Sequence, residues 1–237
     1  MHITLIDPLK DYRAHCVSET LGLMYVAAVL REAGHGVRIV ATGLRPSADL
    51  SIDDVLDTDL VGITATSALF GNAVATLETI RMWRPDLPVV LGGAQATVCT
   101  EQSLNAGFDC AVLGEAERTI VELVENLDRD RMLETRGIAF LNDAGEVVKT
   151  PDQPLIEDLD SLPFPARDLY DYDAFRAAGG WEFGMMSSRG CPFRCTFCQP
   201  TLNMIFGRMR KRGPENVAQE MAQLQQTYDP PILYFKD

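Results

Sequence analysis

The sequence predicts an α/β protein: a parallel sheet covered by helices on both faces, followed by a second, smaller unit that begins another strand–helix repeat. Three observations carry this reading. Short apolar runs alternate with amphipathic stretches through the first 130 residues, the pattern of strands buried on both faces and of the helices that cover them. A stretch rich in proline and acid, 151–173, interrupts the alternation. The charge also changes sign: residues 1–180 carry 14 Lys/Arg against 29 Asp/Glu, and residues 181–237 carry 7 against 5, which suggests two parts with different duties.

The elements follow in order. Ile3–Ile6 is a short apolar run before Asp7-Pro8, so a strand and then a loop. From Thr20 to Ala33, Leu21, Met24, Tyr25, Ala28 and Val29 recur at helical spacing, and Gly34 follows as a C-cap. Val37–Val40 is a second strand and Leu60–Thr64 a third. Ala68 to Trp83 is helical, stopped by Pro85. Leu87–Leu91 is a fourth strand ended by Gly92-Gly93, and Cys110–Leu113 a fifth, followed by a helix from Glu115 to Leu127. Arg136 to Lys149 reads as a hairpin turning at Asn142-Asp143-Ala144-Gly145. Pro151 to Asp173, with four prolines and seven acids, reads as an extended connector. The first unit spans 1–130, hairpin and linker 131–180 (with the break near 150), and the second unit 181–237.

Composition narrows the function. A net charge of −13 argues against general nucleic-acid binding, which needs a basic footprint, and against an anionic membrane surface. No apolar stretch is long and uncharged enough for a membrane span, and no basic leader opens the chain. Of six cysteines, Cys16, Cys99 and Cys110 are scattered and three are clustered, as in a cytoplasmic protein with one thiolate site rather than a secreted disulfide framework.

In a parallel sheet, ligands lie beyond the carboxyl ends of the strands. The loop after the fourth strand reads Gly92-Gly93-Ala94-Gln95-Ala96-Thr97. Paired glycines let the backbone approach a large or phosphorylated ligand, and they equally serve a tight strand-to-helix turn. Glu115 and Glu117 read as complements to a helix dipole. No Gly-x-Gly-x-x-Gly follows the first strand, so a nicotinamide site is poorly supported.

The strongest signal is Ser187-Ser188-Arg189-Gly190-Cys191-Pro192-Phe193-Arg194-Cys195-Thr196-Phe197-Cys198. Three thiolates in a C-x3-C-x2-C spacing can hold three corners of a [4Fe–4S] cluster and leave one iron open. Zinc would want a fourth Cys or His, and neither follows Cys198. An electron-transfer ferredoxin would fill all four iron positions from the protein.

This spacing, with Phe197 just before the last cysteine, resembles the radical S-adenosylmethionine superfamily. The resemblance implies that Cys191, Cys195 and Cys198 ligate the cluster, that S-adenosylmethionine chelates the fourth iron, and that Phe197 sits by the adenine. One electron from the cluster would then cleave the cofactor to a 5′-deoxyadenosyl radical that abstracts a substrate hydrogen. The segment Phe206 to Val217 looks like the one that follows the cluster loop in the subfamily with an amino-terminal cobalamin-binding domain. Its basic residues Arg208, Arg210, Lys211 and Arg212 are either a solvated surface or contacts to an anionic group. Glu215 to Tyr228 is a helix with Val217, Met221 and Leu224 on one face, and Ile232–Phe235 is the second strand of a partial (β/α) barrel. Asp237 would stand at its carboxyl end, where cofactor contacts gather.

The first unit resembles the cobalamin-binding, Rossmann-like domain of that subfamily, in the stretches Leu21 to His35, Gly92 to Thr97 and Gly114-Glu115-Ala116-Glu117. The resemblance implies Thr64 and Ser67 near the nucleotide tail of cobalamin, and Gly92 and Gly93 against the tail or corrin. Gln95 stands where relatives often carry histidine. The Asp-x-His-x-x-Gly motif for an axial imidazole is absent: the histidines are His2, His15 and His35.

The expected activity is that of a cobalamin-dependent radical S-adenosylmethionine enzyme, most simply methyl transfer to an unactivated carbon or phosphorus centre of a small-molecule or natural-product substrate, with an external flavodoxin- or ferredoxin-type electron donor. The alternatives are an anaerobic ring-forming cyclase, as in the magnesium-protoporphyrin ester cyclase relatives, and a non-catalytic cobalamin- or tetrapyrrole-binding module. Residues 181–237 suffice for one strand–helix–strand unit and the cluster loop, so the chain reads as part of a longer enzyme, with apolar strand faces left exposed.

Overall fold

The computed structural model describes residues 1–8, 18–45, 49–127, 131–193, 195–198 and 205–237; His15, Cys16 and Arg194 lie outside them. Five parallel strands form the centre: β1 (His2–Asp7), β2 (Gly36–Ala41), β3 (Leu60–Thr64), β4 (Val89–Gly92) and β5 (Cys110–Val112). Helix α1 (Leu21–Glu32) joins β1 to β2, α2 (Phe70–Trp83) precedes β4, the short α3 (Ala94–Val98) and α4 (Thr100–Asn105) precede β5, and α5 (Ala116–Glu125) follows it. Each strand coincides with an apolar run of the sequence. β4 starts at Val89 rather than Leu87 because Pro88 has no N–H to give; only its carbonyl enters the ladder, accepting from the Val61 N–H at 2.9 Å.

The hairpin strands β6 (Ile138–Leu141) and β7 (Val147–Lys149) extend the same sheet antiparallel to β5, giving the order β2-β1-β3-β4-β5-β6-β7. Their turn is held by Asn142, whose Oδ1 accepts from the N–H groups of Ala144 and Glu146 at 3.0 and 2.9 Å. The strand order reverses between β1 and β3. The loops leaving these two strands diverge there, and a crevice opens at the carboxyl end of the sheet.

Alternation along the strands feeds two apolar layers. Ile3 and Leu5 of β1 pack with Leu23, Leu30, Ile120 and Leu123 on one face; Ile6 packs with Ile63, Leu77, Ile80, Leu91 and Leu104 on the other. Arg81 ties the end of α2 to the sheet, donating to the Leu87 carbonyl at 2.6 Å and pairing with Asp109 at 2.6 Å. Because both partners are partly solvated, Arg81→Ala should cost only about 0.5–1 kcal/mol, read as a midpoint shift in urea with an unchanged slope.

The linker carries α6 (Tyr172–Ala177), and the described residues of the second unit include β8 (Glu182–Met185), β9 (Ser188–Arg189), β10 (Arg210–Lys211), α7 (Pro214–Tyr228) and β11 (Ile232–Phe235). β11 lies parallel to β8, from Ile232 opposite Glu182 to Phe235 opposite Met185, as the strand–helix–strand reading requires. β9 and β10 pair antiparallel and bracket the cysteine loop. Ile232, Tyr234 and Phe235 are exposed. The α7 stripe differs from the expected one: Leu224 is buried, but Met221 is exposed and Glu220 is buried instead. A carboxylate can occupy that face because two arginines meet it there.

The linker is not an extended tether. Ile156, Leu159, Ala166, Arg167 and Tyr170 are buried, and the Ala166 N–H donates to the Met24 carbonyl of α1 at 3.0 Å. A third apolar cluster joins Leu21, Met24 and Tyr25 of α1 to Tyr170, Tyr172, Phe175, Phe183 and Met185. Tyr172 stacks on Phe183 with ring centroids 4.4 Å apart. Irregular backbone between prolines buries single residues without any period, so periodicity gave no sign of this packing.

Candidate functional site

The crevice at the carboxyl end of the sheet is a cavity of about 440 Å³. Its floor is strand ends: Leu5 of β1, Gly62 to Thr64 of β3, Val90 and Gly92 of β4, and Val112 of β5. One wall is helical, with Leu21, Gly22 and Val26 from α1 and Ala116 and Ile120 from α5. The other comes from the second unit: Met186, Arg189, Ile205, Phe206 and Lys236. Most of this lining is apolar, which suits a large ligand tail shielded from water.

Small residues make the space. Gly93 has φ +85°, and a Cβ there would lie 2.8 Å from Thr64 Oγ1 and 2.9 Å from the Ala65 carbonyl. The β4–α3 turn therefore packs directly onto the end of β3, and only glycine fits it. The glycine keeps this turn tight against β3, and the apolar lining around it fits a cobalamin tail. Thr64, Gly92 and Gly93 line the cavity together. Ser67 does not; it begins an exposed turn before α2. Gln95 is buried, and its amide donates to Gln102 Oε1 at 3.0 Å, so its side chain joins α3 to α4 rather than lining the space.

The cysteine loop leaves β9 through Gly190 (φ +83°), where a Cβ would meet the Arg208 carbonyl at 2.6 Å. Cys191 and Cys198 are half-buried, Cys195 is exposed, and the Cys198 N–H donates to the Cys195 carbonyl at 3.1 Å. Phe193 and Phe197 are exposed. Thiolates are the soft donors that iron–sulfur chemistry uses. Among the described residues no three His, Cys, Asp or Glu side chains are gathered to a metal-holding spacing. Asp237 is exposed, and its carboxylate accepts from the N–H groups of Ser187 and Ser188 at 2.6 and 2.8 Å, pinning the turn between β8 and β9 to the end of β11. The neighbouring Lys236 donates to Ser18 Oγ and the Glu19 carbonyl, both at 2.7 Å, and burial holds its ammonium below the usual lysine range.

Two buried ion clusters join the units, and both correct the sequence reading. Glu115 and Glu117 do more than complement a dipole: Arg189 pairs with both, and Arg210 forks onto Glu115 with two 2.8 Å bonds. In the second cluster Arg167 pairs with Glu19 at 3.1 Å and Glu220 at 2.8 Å, and Arg212 pairs with Glu220 at 2.5 Å. Tyr172 donates to Glu19 at 2.6 Å. Arg210 and Arg212 are thus neither solvated nor free for an anionic ligand; only Arg208 and Lys211 of the basic run are exposed. Alternating charge was the available signal: Arg208-x-Arg210-x-Arg212 sets three arginines at strand spacing, of which Arg210 meets Glu115 and Arg212 meets Glu220. Nothing in the sequence marks Glu19, Arg167 or Glu220.

Burial raises the Glu115 carboxyl, but the Arg210 hydrogen bond, the Ile156 N–H and the two guanidinium charges outweigh it and hold the group below the usual carboxylate range. Such a lowered group stabilises the fold above its unfolded value of about 4.3, and the contribution fades as pH falls through the folded value. Thermal stability should therefore decline as the pH drops below about 4, and in Glu115→Gln the plateau should be lower and the decline shallower. A scan of melting temperature from pH 3 to 7 reads both.

Residues 14–124 match the B12 binding domain model. The chain is 36% identical, over 92% of its length, to an uncharacterized methyltransferase of Pyrococcus horikoshii, covering 48% of that protein. It is 31% identical, over 86% of its length, to the anaerobic magnesium-protoporphyrin IX monomethyl ester cyclase of Rubrivivax gelatinosus, covering 39% of it. Among solved structures, the cobalamin-dependent S-adenosylmethionine radical enzyme OxsB, with aqua-cobalamin and S-adenosylmethionine bound, superposes on all of this chain and 34% of its own with a TM-score of 0.79 at 18% identity, a likeness of fold. The chain spans half or less of the length of the curated relatives it matches. This chain therefore carries a B12-binding domain that leads into a strand–helix–strand unit with three cysteines, and over its whole length it has the fold of a cobalamin-dependent S-adenosylmethionine radical enzyme.

Proposed function

We propose that this chain is the cobalamin-binding and cluster-bearing part of a radical S-adenosylmethionine methyltransferase acting on an unactivated carbon or phosphorus centre of a small molecule. The observation that carries the reading is a single juxtaposition: the loop of Cys191, Cys195 and Cys198 springs from a strand, β9, whose Arg189 also walls the glycine-cradled cavity. Cys191, Cys195 and Cys198 would hold a [4Fe–4S] cluster and Phe197 would meet the adenine of S-adenosylmethionine, while Thr64, Gly92 and Gly93 would take the cobalamin tail. When bound, these groups supply one-electron cleavage of S-adenosylmethionine and a transferable methyl group.

The chain's own residues do the rest. Leu21, Val26 and Ile120 keep water from the tail. Asp237 holds the Ser187–Ser188 turn, and with it the approach to Gly190 and Cys191. Lys236 closes the cavity from the β11 side by its bonds to Ser18 and Glu19. A flavodoxin or ferredoxin in the cytoplasm would provide the electron, and a cluster with an open iron suits that reducing compartment. The similarity to the Rubrivivax cyclase favours ring formation as the second reading.

The test is anaerobic reconstitution of the chain with iron and sulfide, followed by electron paramagnetic resonance after reduction. The expected result is a [4Fe–4S]⁺ signal that changes when S-adenosylmethionine is added and is lost in Cys195→Ala. A signal indifferent to S-adenosylmethionine, or identical in the variant, would refute the assignment. An intact cluster in the longer enzyme that forms no 5′-deoxyadenosine would favour a non-catalytic module.

A further inference from the structure

We infer that Glu115 is the positioning residue of the cysteine loop: one carboxylate in the wall of the cavity grips both stems of the loop that would carry the cluster. The inference rests on the reading of Cys191, Cys195 and Cys198 as cluster ligands.

The two stems are β9 and β10, and their register sets Arg189 opposite Arg210. Like charges at directly opposed positions of an antiparallel pair destabilise it, and both side chains are buried. The arrangement persists because a carboxylate from the other unit lies between them. Glu115 Oε1 accepts from Arg189 Nη1 at 3.1 Å and from Arg210 Nη2 at 2.8 Å, while Oε2 accepts from Arg210 Nη1 at 2.8 Å. Glu117 pairs with Arg189, so two acids neutralise two bases.

The grip extends along the loop. Arg210 also donates to the Phe206 carbonyl at 2.8 Å and to the Ile156 carbonyl of the linker at 2.7 Å. At the mouth, Gly190 packs against the Arg208 backbone. The position of the loop relative to the cavity is thereby set from the first unit, at a residue that also lines the cavity. Glu220 provides a contrast of the same chemistry: a buried carboxylate bridging two arginines, Arg167 and Arg212, with no contact to Arg189 or Arg210.

The test compares Glu115→Gln, Arg210→Lys and Glu220→Gln in the full chain. Without cofactors, hydrogen exchange is followed in peptides covering 188–198 and 205–211, which leave out Arg212 and its Met186 and Ser187 partners. Glu115→Gln and Arg210→Lys should speed exchange about tenfold in both peptides while β3 and β4 stay protected; Glu220→Gln should loosen α7 and leave the stems. After reconstitution, the first two variants should hold wild-type iron with a broadened, shifted paramagnetic spectrum, and Glu220→Gln should keep the wild-type spectrum. Wild-type exchange at the stems in both Glu115→Gln and Arg210→Lys, or equal loosening in Glu220→Gln, would overturn the inference. Should Glu115→Gln fail to fold, Arg210→Lys carries the same comparison, since an ammonium keeps the charge but cannot fork. If the wild-type chain takes up no cluster, the ligand reading fails, and with it the role assigned to Glu115; the exchange data then still report whether the stems are gripped, so the two failures are told apart.

Discussion

Arg167→Ala is expected to destabilise the chain by about 3–5 kcal/mol, the usual cost of removing one partner from a buried ion cluster. Arg167 sits in the linker with its guanidinium buried. It donates to Glu19 at 3.1 Å, to Glu220 at 2.8 Å, to the Gly184 carbonyl at 2.7 Å and to the Tyr172 hydroxyl at 3.1 Å. These partners belong to the stretch before α1, to α7, to β8 and to α6. Without Arg167 neither Glu19 nor Glu220 keeps its guanidinium bridge, leaving Arg212 on Glu220 and only the nearby Lys236 ammonium beside Glu19, and the side chains of Glu19 and Glu220 are only 0% and 2% exposed. Water cannot take over the missing charge unless the second unit moves off α1. For a chain of this length each kcal/mol shifts the melting temperature by roughly 2–4 °C, so calorimetry should find a drop of roughly 6–20 °C. A drop of under about 2 °C would mean that aromatic packing alone, Tyr172 on Phe183 above all, joins the units. Arg167→Lys should fall between, because a point charge cannot serve four partners fanned around a planar fork.

Gly93→Val should abolish cobalamin uptake and cost about 2–4 kcal/mol in stability. Two effects add. A β-branched residue at φ +85° is strained, and its Cβ would be forced against Thr64 Oγ1 and the Ala65 carbonyl. The relief is a shift of the β4–α3 turn away from β3, which deforms the cavity floor. Loss of binding could then follow from deformation alone, so the paired variant is Gly22→Leu. Gly22 lines the same cavity from α1, and nothing lies within 4 Å of where its Cβ would sit. Glycine inside a helix is also unfavourable by about 1 kcal/mol relative to alanine. Gly22→Leu should thus keep or raise stability while filling the space, and weaken hydroxocobalamin binding at least about tenfold, some 1.4 kcal/mol, in a visible-light titration. Wild-type titration of both variants would remove the cavity as the cobalamin site.

The parts of the fold that could be read in advance share a physical origin. The inner parallel strands β3, β4 and β5 coincide with uncharged apolar runs because a strand buried on both faces leaves no room for charge, whereas the edge strand β2 keeps the exposed Arg38. The hairpin was legible from Asn142 and Gly145, whose turn chemistry is local. The parallel pairing of β8 with β11 followed from the helix α7 that leads from one to the other. The cysteine spacing stood out because metal-binding loops keep their donors close in sequence. The Met221 stripe failed because an apolar period cannot foresee that a carboxylate, Glu220, will find two arginines from elsewhere.

By itself, the sequence determined the five parallel strands, the hairpin, the helices α1, α2, α5 and α7, the glycine-bearing loop after β4 and the three-cysteine loop, all set by interactions within about one turn or one strand; the short α3, α4 and α6 and the β9–β10 pair came only with the structure. The tertiary structure alone decided that the linker is packed rather than free, that Gln95 turns into the α3–α4 corner, and that Glu19, Arg167, Glu220, Glu115, Arg189 and Arg210 close two buried ion clusters between the units. The reason is distance along the chain: Glu19 and Arg167 meet across 148 positions, and Glu115 and Arg210 across 95. A single charged residue carries no mark of a partner so remote, and burial, which makes the pair matter, exists only once the chain has folded.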